Sequence, residues 1–344
     1  MSLRLSLVVV LVAVLVTTSL ILYGCGAEDG NAGEPLRVGY IPIAECVQLY
    51  VAKDMGFFEK AGLDVELISL AGGARVLDGL NGGSLDTGFS NVVSLVLHRA
   101  RGSRFRSCFG ATIEDEDHQN HAIFVRSELI LSAGEEATPA EVLRGRKIAV
   151  NTNKNIESLM VQKYITHIGL TMEDVELVEI PFPQMLPMLD SGGIDAASLV
   201  EPFITIAQKE HGGQMEKLCN HYLDYPGQTD EYARVVATYV TSEVNLKERH
   251  EEFKRFRIAM TEATRYFINH EGECREIIGH YTKIPPELLS VIDLSAFKVK
   301  LEKESLSRVM LDMVEFGYLE GLELPPVENL IWTDESSEES DANG

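Results

Sequence analysis

Cysteine, tryptophan and basic side chains are all scarce in this chain. Of 344 residues, 5 are cysteine and 1 is tryptophan, and 30 lysines and arginines face 53 aspartates and glutamates, for a formal net charge of -23. So acidic a balance repels a phosphate backbone, and no nucleic-acid partner is expected. No C-x-x-C pair and no Cys/His zinc spacing occurs, so neither a metal nor a cofactor is expected. G-x-S-x-G, H-E-x-x-H and a phosphate-binding glycine loop are also missing, and with them the commonest signatures of an enzyme; no catalytic residue is expected. His118 and His121 lie near three acids in the run EDEDHQNH, but no helix fixes their spacing, and the run reads as a solvated loop. Cys46, Cys108, Cys219 and Cys274 allow three pairings, among which the sequence does not choose, and isolated, partly buried thiols are the expectation.

What is present begins with an apolar run. Leu5 to Leu22 follows Arg4 and leads directly into Tyr23-Gly24-Cys25-Gly26, the layout of an export signal. Leu22-Tyr23-Gly24-Cys25 also resembles a bacterial lipobox, whose cysteine carries the lipid. The alternative is an uncleaved anchor, because the run is close to a bilayer-spanning length. Either reading places the rest outside the cytoplasm, held at the bacterial cell membrane. Residues 1–24 are thus expected to be a signal peptide and 25–35 a tether lipidated at Cys25, rich in Gly, Asp and Asn. Residues 333–344 read as a disordered acidic tail.

Between these ends one pattern occurs twice. Leu77, Leu80, Asn81, Gly83, Leu85 and Asp86 fit L-x-x-L-[ND]-x-G-x-[LI]-D, and Leu186, Leu189, Asp190, Gly192, Ile194 and Asp195 fit it again. Upstream, Gly62-Leu63 leads into Asp64 to Ile68 as Gly169-Leu170 leads into Asp174 to Val178. Each copy follows an amphipathic stretch and a short apolar strand, Leu36 to Ile41 or Lys147 to Val150. A period this long, seen twice, describes paired lobes rather than a solenoid.

The alternation of strand and helix predicts an α/β fold of two lobes, each a mainly parallel sheet flanked by helices, with the ligand cleft between them. Residues 36–122 and 236–332 form the first lobe on this reading, and 123–235 the second. Ala122 to Arg126 and Val235 to Thr241 are the crossings. Glu45 to Phe58 reads as one helix closed by Gly62. Phe253, Phe256, Met260, Ala263 and Phe267, then Leu306, Val309, Met310, Met313, Val314 and Phe316, form apolar faces of core-covering helices. In open sheets of this kind ligands lie beyond the carboxyl ends of the strands, which directs attention to the loops after them. Thr152, Asn153 or Asn155 would cap the helix that follows Val150.

Leu36 to Ile43, Leu49 to Phe58, Gly62 to Leu67, Leu143 to Val150 and the stretch Pro181 to Phe203 together resemble the periplasmic solute-binding proteins of ABC importers. The branch is the one that binds sulfonates, taurine, nitrate and thiamine pyrimidine precursors. The resemblance implies a type II periplasmic binding fold, a small-molecule solute, an ABC permease and ATPase as partners, and a monomer. By position it implies ligand contacts from Glu45, Cys46, Gly73, Ser90, Asn91 and Thr112 in the first lobe, and from Thr152, Asn153, Asn155 and Glu201 in the second. An anion pocket needs donors and compensating charge, yet Glu45 and Glu201 stand near the strand ends with only Arg75 and Lys154 as cations. The favoured solute is therefore a nitrogen heteroaromatic, such as a thiamine pyrimidine precursor or riboflavin, with Tyr40 or Phe203 available to stack. The alternatives are a sulfonate, taurine or nitrate binder, or an enzyme of pyrimidine synthesis on the same fold. The cysteine-rich iron motif of that enzyme is missing.

Overall fold

The computed structural model describes residues 34–134, 136–220 and 234–333. The expected export signal, the lipidation site Cys25 and residues 334–344 of the acidic tail lie outside them. Leu36 and Val38, with no solvent exposure, anchor β1 (Leu36–Tyr40), which pairs in parallel with β2 (Val65–Ser69) on one side and β3 (Thr87–Asn91) on the other. β10 (Arg234–Ser242) then runs antiparallel between β3 and β4 (Phe105–Glu114), and the short β11 (Ala296–Phe297) closes the far edge. This first sheet has the order β11-β4-β10-β3-β1-β2.

The second sheet repeats the plan. β6 (Lys147–Val150) lies parallel between β7 (Glu176–Glu179) and β8 (Ala196–Val200). β5 (His121–Arg126) is antiparallel between β8 and β9 (Met215–Asn220). Each sheet therefore carries a parallel trio with an antiparallel strand beside it, β10 or β5, and further antiparallel pairing beyond that strand. In the second sheet that strand precedes the trio in sequence; in the first it returns from the far end of the chain. The crossing segments of the sequence reading are thus full strands buried inside the sheets.

The repeated motif has a physical purpose in both places. α2 (Gly73–Asn81) and α5 (Phe182–Asp190) end at its Asn or Asp, and Gly83 and Gly192 both take φ of 72°, a left-handed turn that favours glycine. The terminal aspartate then clamps the neighbouring strand. Asp86 accepts the Arg37 amide at 2.8 Å and Asp195 accepts the Lys147 amide at 3.0 Å. Each also meets an arginine: Arg37 and Arg249 at Asp86, Arg126 at Asp195.

The helix expected over Glu45 to Phe58 is divided. A 3-10 turn, Ala44–Cys46, precedes α1 (Val47–Asp54), and Gly56 at φ 72° starts a separate short helix, Phe57–Lys60. Over the first sheet, α7 (His250–Asn269) buries Phe253, Phe256, Met260, Ala263 and Phe267 as expected, each large ring stabilising the fold by about 2–3 kcal/mol. α8 (Lys303–Glu315) buries Leu306, Val309, Met310 and Met313, but Val314 is 52% exposed. It falls outside the buried stripe, which Met313 completes. Among the described residues no helix is long and apolar enough to cross a membrane.

Candidate ligand site at the seam between the sheets

β4 ends in one sheet and β5 begins in the other, so Glu114 and His121 are brought to the seam from opposite sides. Both are buried. His121 Nδ1 lies 2.9 Å from Glu114 Oε1, and its Nε2 lies 3.1 Å from Glu157 Oε1, at the start of α4 (Ile156–His167). Glu45, from the turn after β1, places Oε1 3.9 Å from the same Nε2. Arg234, which opens β10, stands 3.9 Å from Glu114 Oε2, and Ser198 of β8 donates to Glu157. Three carboxylates thus converge on one imidazole in a site closed to water.

Burial opposes charge on His121, yet Glu114, then Glu157 and Glu45, hold its pKa well above the ordinary value. Burial pushes the Glu45 carboxyl up to about 7; His121 opposes this, and Glu157 and Glu114 add to it. Three buried polar atoms here have no hydrogen-bond partner: Glu45 Oε1, Thr112 Oγ1 and Asn120 Oδ1. Unpaired buried polar atoms are rare in folded proteins, so each of these calls for a partner that the surrounding side chains do not supply.

The other sequence candidates divide into those with internal duties and those beside open cavities. Asn91 Oδ1 accepts the Ser94 amide and caps α3 (Val92–Ala100), while Asn155 and Ser158 form a reciprocal cap on α4. Cys46 is packed in the core beside Ile41 and Tyr50, where burial pushes its thiol up. Ser90 Oγ donates to the Gly73 carbonyl at 3.3 Å, and a Cβ on Gly73 would stand 2.8 Å from that oxygen, so glycine lets α2 begin against β3. Thr152 is half-buried with Oγ1 on the Asn151 carbonyl, and the exposed Asn153 donates its amide to Glu179. Gly72 and Thr152 line a cavity of about 360 Å³ with Arg75, Asn151, Glu179 and Pro181, at the strand ends where the fold rule looks for ligands.

Glu201, just before α6 (Phe203–Glu210), is buried but turned inward. Its Oε2 accepts the Thr205 amide at 3.1 Å, and its Oε1 accepts the Thr205 hydroxyl at 2.9 Å and the Asp293 amide at 3.3 Å. Its carboxyl too is pushed up to about 7 by burial, with the Thr205 amide opposing. Neither expected stacking ring is idle: Phe203 lies against Phe182, and Tyr40 meets Tyr50 and Tyr281 edge-on. His118 pairs with Asp115 at 2.7 Å, so the two histidines of the run take different carboxylates. Among the described residues no group of three or more acids, histidines or cysteines has a metal-holding arrangement. Cys46, Cys108 and Cys274 are buried thiols outside any disulfide.

Residues 29–278 match the NMT1-like family. The chain belongs to that family. Its similarity extends to the nitrate import ATP-binding protein NrtC of a Synechocystis species, 25% identical over 201 residues, covering 54% of this chain and 29% of that one. A putative aliphatic sulfonates-binding protein of Bacillus subtilis is 25% identical over 211 residues, covering 59% of this chain and 60% of that one. The chain spans from under a third to about half the length of the first curated relatives it matches. Among solved structures, the alkanesulfonate-binding protein SsuA of Xanthomonas axonopodis pv. citri, bound to MOPS, superposes with a TM-score of 0.69 at 15% identity, covering 88% of this chain and 99% of that one. This NMT1-like chain therefore has the periplasmic binding protein fold.

Sequence reasoning missed Glu114, Glu157 and Arg234, and took His121 for part of a solvated loop. The loop reading of EDEDHQNH holds for its middle, while its two ends close strands of different sheets and are buried. The only available signal was that Glu114 and His121 directly adjoin apolar strand segments, which a count of polar residues over the run conceals.

Proposed function

We propose that this chain is the solute-binding component of an ABC importer, lipidated at Cys25 and held outside the cytoplasm, which captures a nitrogen heteroaromatic solute and passes it unchanged to a permease and ATPase. One observation carries the solute class: Glu45 Oε1 and Thr112 Oγ1 are buried without partners in a seam that holds three carboxylates around one imidazole. A desolvated anion there would face repulsion from Glu114 and Glu157, whereas a ring nitrogen or amino group supplies the partner that Glu45 Oε1 lacks. The carboxylate role expected of Glu201 passes to Glu45 with Glu114 and Glu157, because both oxygens of Glu201 are already taken. The names of the relatives support importer membership, and Leu22-Tyr23-Gly24-Cys25 supports the lipid anchor.

A second reading, an anion binder, has its own support. The relatives named above handle nitrate and sulfonates, and a cavity of about 290 Å³ beside Thr152 is lined by His98, Arg101 and Lys154. Thermal unfolding against hydroxymethylpyrimidine, its formylamino precursor, riboflavin, taurine, alkanesulfonates and nitrate separates the two. A ligand at a hundred times its dissociation constant stabilises the fold by about 2.7 kcal/mol. A shift with a heterocycle supports the first reading, and a shift with a sulfonate or nitrate alone replaces it with the second.

A further inference from the structure

We infer that Glu45 selects its solute by proton transfer: the buried carboxyl gives its proton to a ring nitrogen of an amino-substituted heteroaromatic solute, and the resulting carboxylate and ring cation pair. This deepens the solute-binding reading above and rests on it.

The geometry supplies the argument. His121 has a carboxylate at each ring nitrogen, Glu114 at 2.9 Å and Glu157 at 3.1 Å. Both nitrogens must donate to satisfy them, so the ring is an imidazolium and serves those two acids. Glu45 lies 3.9 Å from Nε2, beyond hydrogen-bond reach, and is 3% exposed. The groups facing it are His121 from β5, Glu114 and Thr112 from β4, and Glu157 from α4, with Arg234 of β10 next to Glu114. A charge on Glu45 would be a third carboxylate in a dry site, so its proton stays until a base arrives.

An amino-substituted ring brings that base. The O–H bond of Glu45 breaks and an N–H bond forms on the ring; the total charge of the site is unchanged and nothing passes to the buffer. The Thr112 hydroxyl, which faces the Glu45 carboxyl, is placed to meet the amino group's hydrogen or to donate to a ring acceptor. A sulfonate or nitrate accepts no proton at neutral pH and would add a negative charge beside Glu114 and Glu157. Glu201 has the same burial but no vacant oxygen, so the transfer belongs to Glu45.

The test has one arm with solute and one without. In the first, the ultraviolet difference spectrum of hydroxymethylpyrimidine bound to the full chain is recorded at pH 7 beside that of the free ring at the same pH. The expected spectrum is that of the protonated ring, with Glu45→Gln weakening binding by at least about tenfold and leaving any bound ring neutral. A neutral bound ring in the native protein overturns the inference and leaves the importer reading intact. Binding of sulfonate or nitrate in place of the pyrimidine overturns both the inference and the heteroaromatic reading. In the second arm, the unliganded native protein is expected to lose stability relative to Glu45→Gln as pH rises through about 7. Parallel profiles show that Glu45 holds no proton to give and overturn the inference whatever binds.

Discussion

The two halves of this chain share one scaffold and differ where they face each other. At the outer ends of the sheets the repeat is nearly exact in function, with Asp86 and Asp195 each clamping the first strand of its own trio through a backbone amide. At the seam the copies diverge: the first half contributes Glu45, Thr112 and Glu114, the second His121, Glu157 and Glu201. The clamps teach what each sheet needs in order to fold, and the seam shows where the two copies have stopped serving the same purpose. Buried charge is costly on either account. At the clamps arginines and backbone amides compensate it, whereas at the seam some acceptors remain unpaired.

The comparison can be broken most forcefully at the first clamp. Asp86 is buried, accepts three donors from Arg37 and meets Arg249 at 3.0 Å, so Asp86→Ala should cost about 3–5 kcal/mol in denaturant unfolding. Next comes the pH profile. Glu45 and Glu201 are raised in the fold from the ordinary 4.5 to about 7, so the folded state holds protons that the unfolded chain releases. The stability they contribute is fully present below about 4.5 and is lost as pH rises through about 7, roughly 3 kcal/mol for each fully buried group. Unfolding at pH 5 and pH 8 of Glu201→Gln against the native protein should show its share of that loss removed. Asp195→Ala should cost less than Asp86→Ala, about 1–2 kcal/mol, because its partners are Arg126 and one amide at a partly exposed site. Smallest is one of the contacts that join the halves outside the seam, where Lys163 of α4 meets Asp312 of α8 at 2.7 Å; Lys163→Ala should cost at most about 1 kcal/mol by the same measurement.

Much of the scaffold was legible because it is local. β1, β2, β6, β7 and β8 follow from short apolar runs between turns, and the two aspartate clamps were visible as a repeated pattern before their partners were known. Asn91 and Asn155 were legible as positions, and their capping bonds show why asparagine stands there. The seam was not legible, because its residues come from six separate places in the chain and are assembled only when the sheets form. Glu114 and His121 sit at the ends of a polar run that reads as solvent-facing throughout. Glu157, in the first turn of α4, looks like any acid favoured at a helix N-terminus. Glu201 shows the opposite failure: it follows β8 directly, as its place in the sequence predicts, but Thr205 and Asp293 occupy its oxygens, and no local pattern records that.

Equilibrium dialysis of the native protein at pH 7 against hydroxymethylpyrimidine and taurine together, with mass spectrometry of what is recovered, tests the central claim most directly. The account expects the pyrimidine to be retained and returned with its mass unchanged, and taurine to pass through. Retention of taurine without the pyrimidine would contradict the reading of the acidic seam, and recovery of an altered pyrimidine would contradict the reading of this chain as a binding protein.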